Sequence, residues 1–237
     1  MVTSIYFNNK DSFMDMDCYL SERPAIPLTI EDTEIKPVDM RALGGLTYKL
    51  GSYQEKEIRC NFVLVSPTDF ERKVDRIVEW LNIIEDNSLI FSFDKDRVYK
   101  VKKVTTSNDI KKEIDYYGSF EATFICEPFK YPVYEPTMTI ESFPATIYNN
   151  GSIYSDPYLK IYASGNITLT TNDDTITINN VNEYVELDST FFLCKKGATN
   201  MMNNKNGGFP KLKKGENTIE VTGTVTKIEI DIRTRYL

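Results

Sequence analysis

Apolar and polar positions alternate with a period of two over much of the chain, which predicts a mainly β protein. Ser4-Ile5-Tyr6-Phe7 reads as a strand and Asn8-Asn9-Lys10-Asp11 as a turn. Arg23-Pro24-Ala25-Ile26-Pro27 is extended, because each proline disfavours the helical region for the residue before it. A strand fits within Leu28–Pro37, and Leu43-Gly44-Gly45-Leu46 reads as a turn or a close backbone approach. Glu57–Val65 alternates strongly, with Ile58, Cys60, Phe62 and Leu64 on one face. The period then changes. Over residues 68–85, Phe70, Val74, Ile77, Val78, Leu81 and Ile84 recur at helical spacing, and Thr68 with Glu71 matches a capping box. Trp80 flanks that stripe on the helical wheel.

Beyond the helix, Leu89–Phe93 and Val98–Val104 predict a hairpin around Asp94-Lys95-Asp96, and Asp109–Glu113 a charged loop. Tyr116–Cys126 alternates, with Tyr116, Gly118, Phe120, Ala122, Phe124 and Cys126 on the core side. Three prolines within Glu127–Pro136 predict an extended linker, dividing residues 1–130 from residues 131–237. The second part holds short strand candidates at the spacing of a β-sandwich: Tyr158–Tyr162, Ile167–Thr171, Thr175–Ile178, Tyr184–Leu187, Phe191–Cys194, Asn217–Val221 and Thr226–Ile232. Turns are expected at Ser164-Gly165-Asn166, Asn172-Asp173-Asp174, Asn179-Asn180 and Asp188-Ser189.

Composition narrows the function. The 237 residues contain no histidine, which removes Ser-His-Asp and Cys-His catalysis and the commonest ligand of catalytic zinc. Net charge is −7 with both signs interspersed, so no basic face for nucleic acid is expected; Lys205–Lys214, interrupted by Gly207, Gly208 and Pro210, reads as a solvated loop. No apolar run approaches the roughly 20 residues of a membrane span, and the N-terminus reads without a secretory signal. Cys18, Cys60, Cys126 and Cys194 lie far apart, as buried thiols made in a reducing cytoplasm do. No cofactor and no metal are expected.

Several carboxylates need weighing. Asp15 with Asp17, Asp173 with Asp174, and Glu183 with Glu186 and Asp188 are close in sequence, but a glycosidase needs two carboxyls converging in a cleft. Asp173-Asp174 reads as a hairpin turn, and calcium at Asn172-Asp173-Asp174 lacks an EF-hand spacing.

The order of these pieces resembles the distal tail proteins of phages that infect Gram-positive bacteria, a family related to tail components of phage-like prophage elements. In the first half the resemblance rests on Ile5-Tyr6-Phe7-Asn8 with Ser12, the Gly44-Gly45 turn, the strand before the helix, Trp80-Leu81, the hairpin strands, and Gly118, Phe120, Phe124, Cys126 and Pro128. In the second half it rests on Asn149-Asn150-Gly151, Ser155-Asp156-Pro157, Asn206-Gly207-Gly208-Phe209-Pro210 with Leu212, Gly215 and Asn217, and the finish Ile232–Leu237. One departure is Asn9, where many members carry glycine; asparagine tolerates the left-handed conformation better than most residues.

The resemblance implies an N-terminal β-sandwich-like domain with one helix, whose copies form a hexameric ring, and a C-terminal galectin-like β-sandwich. It implies a structural role in the virion, joining the tail tube protein to the tail-associated hub or lysin protein at the tail tip. The chain has no room for the carbohydrate-binding insertion of some members. Strand edges are the natural adhesive of such a ring. The subunit contact is therefore expected at Gly44, Gly45, Leu89, Phe91, Phe93, Val98, Tyr99 and Val101. Two alternatives compete. The second domain could bind cell-wall saccharide through Tyr148, Tyr154, Tyr158, Tyr162 and Tyr184, or the chain could be a carboxylate-based cell-wall hydrolase.

Overall fold

The computed structural model describes residues 2–36, 46–65, 69–106, 111–114 and 117–237. The Gly44-Gly45 turn and Thr68 of the capping box lie outside them. Two compact units emerge, Met1–Val133 with Leu237 and Tyr134–Tyr236. Both are built almost wholly from strands.

The first unit contains β1 (Ile5–Phe7), β2 (Lys10–Asp11), β3 (Cys18–Leu20), β4 (Glu31–Lys36), β5 (Leu46–Tyr53), β6 (Lys56–Val65), helix α1 (Phe70–Asn82), β7 (Ser88–Phe91), β8 (Asp94–Thr106), β9 (Lys111–Ile114) and β10 (Tyr117–Pro132). Its main sheet runs β2-β1-β7-β8-β10-β6-β3, with β9 against β10. The sheet curls until its ends meet, the Leu20 amide donating to the Thr3 carbonyl at 2.8 Å. Closing a sheet in this way satisfies edge amides and hides apolar faces at once. Inside sit Ile5, Phe7, Ile58, Phe62, Leu89, Phe91 and Phe124. On β10, Gly118, Phe120, Ala122, Phe124 and Cys126 face this core, as their alternation predicts.

Several details differ from the sequence reading, and where Asp109–Glu113 was expected as a charged loop, Lys111–Ile114 forms strand β9. The β7–β8 turn is at Ser92-Phe93 rather than Asp94–Asp96, because Phe91 pairs with Asp94. The proline-bearing stretch after Cys126 is not a free linker: β10 continues through a bulge between Cys126 and Lys130 and still pairs with β8 at Lys130, Tyr131 and Pro132. A proline at a strand's last residue withholds no amide needed further along.

Helix α1 seals one side of the core with Phe70, Ile77, Trp80 and Leu81. Trp80 is central to the packing rather than flanking it. It is 1% exposed, its ring meets Phe7 edge-on at 6.0 Å, and its indole N–H donates to the Phe7 carbonyl at 2.8 Å. Val78, assigned to the stripe, points outward instead.

The helix end depends on Asn8. Asn8 and Asn9 both have positive φ (50° and 60°), the geometry of a two-residue hairpin between β1 and β2, and Asn9 is thus accommodated. The Asn8 amide nitrogen donates to the carbonyls of Trp80 and Ile83, while its oxygen accepts from the amides of Glu85 and Asp86. A helix end leaves its last carbonyls orphaned, and here a distant turn satisfies them.

The second unit contains β11 (Met138–Ile140), β12 (Ala145–Asn149), β13 (Tyr158–Thr171), β14 (Asp174–Val181), β15 (Tyr184–Asp188), β16 (Leu193–Lys196), β17 (Thr199–Asn200), a 3-10 turn at Met202–Asn204, β18 (Lys205–Asn206) and β19 (Gly215–Asp231). Four strand candidates merge in pairs. Tyr158–Tyr162 and Ile167–Thr171 are the two halves of β13, and Asn217–Val221 and Thr226–Ile232 fall largely in β19. The breakers between them bend the strands without ending them. Gly165 (φ 79°) and Gly223 (φ 100°) lie at register shifts of the β13–β19 ladder. A Cβ on Gly223 would meet the Asn166 carbonyl oxygen at 2.5 Å. Each long strand thus serves two layers. One half of β13 pairs with β15 and the other with β14, and Leu159, Ile161, Ile167, Leu169, Ile219, Ile228 and Ile230 share one core.

Asn8→Ala leaves two carbonyls and two amides short of partners. It is expected to lower stability by about 1–3 kcal/mol, read as a shift of the urea midpoint at unchanged slope.

Candidate assembly surfaces

The strands assigned to subunit contact are inner strands. β7 is flanked by β1 and β8, and β8 by β7 and β10, so Leu89–Val101 presents no free backbone edge. Leu89 and Phe91 are 0% exposed, and Val98, Tyr99 and Val101 are nearly as buried. Phe93 is half-buried, stacked on Phe91 at 5.0 Å beneath the Arg23 guanidinium at 4.7 Å. An alternating run of large apolar residues marks a core wall as readily as an adhesive edge, and here it is the wall.

Free edges exist elsewhere in this unit. Beyond Val101 the outer edge of β8 loses β7: residues 102–106 pair only with β10 among the described residues, and Lys102, Lys103, Thr105 and Thr106 are exposed. The second place is the ribbon of β4 and β5, which joins no other strand among the described residues. Its described cross-links are polar and exposed, Lys49 to Glu31 at 2.8 Å and Ser52 to Asp32 at 2.8 Å. Its base is anchored where Tyr53 meets Phe129 edge-on at 4.9 Å. An isolated two-stranded ribbon is marginal in water, and exposed ion pairs add at most about 1 kcal/mol each.

The carboxylates do not converge. Asp17 pairs with Lys73, and the Asp15 carboxylate accepts from the Asp11 amide. Glu183 pairs with Lys196 at 2.8 Å, and the Lys196 ammonium with the side-chain hydrogen bond it makes holds the Glu183 carboxyl below its usual range. Asn172-Asp173 is the β13–β14 turn, with Asn172 at φ 54°. The Asn172 side chain is committed to Asn217 and to the Thr218 amide. Among the described residues, no group of three or more Cys, Asp or Glu is placed to hold a metal ion. The four thiols are buried, and burial pushes Cys60 and Cys126 up to about 12. Among the described residues, no helix is long and apolar enough to cross a membrane.

The tyrosines considered for saccharide are mostly engaged with cations. Lys160 lies over Tyr162 (5.2 Å) and Tyr184 (4.5 Å), Lys211 over Tyr154 (5.1 Å), and Arg233 near Tyr158 (5.7 Å), while Tyr148 is 56% exposed.

Phe191 and Phe192, expected to open a strand, form an exposed aromatic tip ahead of β16 instead. Phe191 is 68% and Phe192 64% exposed, the latter at φ 54° and edge-on to Phe209 at 5.6 Å. Asp188 holds the tip, accepting from the Thr190 and Phe191 amides, and Arg233 grips both its oxygens at 2.7 and 2.9 Å. Burial alone would raise the Asp188 carboxyl, but the Arg233 fork and the two amides outweigh it and hold the group below its usual value.

The polar residues behind the resemblance are structural. Asn149 is 1% exposed and bridges the Ile153 and Leu212 carbonyls and the Gly151 amide. Asn217, equally buried, donates to the Lys213 and Gly215 carbonyls. A Cβ on Gly151 would strike the Arg235 carbonyl oxygen at 2.5 Å, and one on Gly207 the Thr175 oxygen at 2.6 Å.

Fold and surfaces together define a two-unit, mainly β protein whose first unit carries unpaired strand edges. Its backbone matches the crystal structure of the Dit protein of phage SPP1, described as a paradigm of the hub adsorption apparatus in phages that infect Gram-positive bacteria. The match covers 100% of both chains at a TM-score of 0.69 and 12% identity, and the two share a fold. A fainter likeness to the phage P2 baseplate in its activated conformation with Ca spans 99% of this chain and 98% of that one, at a TM-score of 0.48 and 12% identity. No protein-family model and no curated protein matches the sequence.

Because Asp188 is ionised more readily in the folded chain, its contribution is present above the unfolded carboxyl value of about 3.9. It is lost as pH falls through the lower folded value. The stability gap between wild type and Asp188→Asn is therefore expected to be constant at neutral pH and to close below about pH 4, measured by urea midpoints across pH. A gap that widens in acid contradicts the assignment.

Proposed function

We propose that this chain is a structural subunit of a phage tail tip, of the distal tail type. Its copies close into a hexameric ring through the first unit, joining the tail tube protein to the tail-associated hub protein in the virion. The observation that carries the reading is the end-to-end backbone match with SPP1 Dit, which covers 100% of both chains. The surface chemistry supports it. A ring with one repeated contact must join two different faces of each copy. The β4–β5 ribbon and the 102–106 edge of β8 offer two such faces, each able to extend a neighbour's sheet by backbone pairing. The role is structural rather than catalytic, since Asp15, Asp17, Glu183 and Asp188 are engaged with cations and amides instead of facing one another.

Light scattering after size exclusion, with negative-stain images of the same fractions, tests the reading. The expected species has six times the mass of the 27.3-kDa chain and images as a closed ring with a central hole. A species that stays monomeric to high concentration and never images as rings would overturn it, and peptidoglycan clearing by the pure chain would favour the hydrolase instead.

A further inference from the structure

Lys56 opens β6 on its inward side. It pairs with Cys126 across the ladder and shares a face with Ile58, Cys60 and Phe62. It is 2% exposed. Lysines are almost never so buried unless a partner neutralises them. Among the described residues, no carboxylate side chain lines the space beside it. Burial, and then repulsion from Lys130, pushes the Lys56 ammonium down to about 8, with only the Cys126 thiol acting in the other direction.

Both lysines line a half-open cleft of about 470 Å³, beside Ile26, Pro27, Leu28 and Thr29, with Leu237 at its rim. The volume falls within the roughly 300–1,000 Å³ of small-molecule sites. The Thr29 hydroxyl is spent on the Pro128 carbonyl at 3.0 Å, so it is not a free donor. The lining side chains supply two ammonium groups and no carboxylate, and the Ile26-Pro27-Leu28 segment supplies apolar surface. A point-like ammonium suits a compact anionic head.

We propose that this cleft binds a small carboxylic acid carried on an apolar stem. The bound carboxylate gives Lys56 a counter-charge, and the stem lies along Ile26–Leu28. The inference is independent of ring formation, since every element of the cleft belongs to one copy of the chain. Binding favours the charged form of Lys56, so affinity falls as pH rises past its free value, and binding there takes up a proton.

Calorimetric titration of the full-length protein with octanoate, octanol and inorganic phosphate tests this, alongside lysine side-chain NMR. Octanoate is expected to bind one per chain, at least tenfold more tightly than octanol or phosphate, and to raise the Lys56 titration midpoint. Lys56→Met is expected to weaken octanoate at least tenfold while its thermal midpoint holds or rises, because an unpaired buried charge is removed. Lys130→Met, made outside the core, weakens octanoate to a smaller degree and serves if the first variant misfolds. No saturable octanoate binding, equal binding of octanol, or binding unchanged in both variants overturns the proposal.

Discussion

Backbone hydrogen bonding is the constraint on which this molecule turns. A chain made almost wholly of strands must satisfy every buried amide and carbonyl, and it must hide or use every edge. The first unit curls its main sheet until Thr3 meets Leu20, and the second bends β13 and β19 so that each serves two layers. Among the described residues of the first unit, the β4–β5 ribbon and the end of β8 have edges with no further partner strand. Such edges can extend a neighbour's sheet by backbone pairing, which is what the proposed assembly uses.

The polar details are subordinate to the same constraint. Asn8 satisfies a helix end from a remote turn, and Asn149 and Asn217 hold loops of the second unit by their carbonyls. Gly151, Gly207 and Gly223 stand where another backbone comes too close for a side chain. None of these groups converges on a substrate-sized space. The residues that make the chain resemble distal tail proteins are therefore the ones that fix its shape.

Much of this was legible in the alternation of side chains. The inward face of β10, the strand Glu57–Val65 and the helix around Ile77 follow directly from periodicity, because burial on one face imposes it. Strand continuity did not. Gly165 and Asn166 carry turn chemistry, yet ladder partners on both sides of β13 keep the strand going. Edge position was also illegible. Leu89, Phe91 and Tyr99 look the same whether a strand is flanked or free, and only the pairing of β7 with β1 decides it. Lys56 was hidden by its own chemistry, since a lysine at the start of a strand ordinarily reads as a solvated residue. The Phe191-Phe192 tip was mistaken for strand because exposed and buried aromatics share one alphabet.

Hydrogen exchange measured on isolated chain and on assembled particles tests the central claim most directly. Sheet extension between copies predicts that amides of the β4–β5 ribbon and of residues 102–106 exchange rapidly in the isolated chain. In the assembly they should become strongly protected, while β7 is slow in both. Equal exchange at both edges before and after assembly, with new protection confined to the second unit, would contradict it.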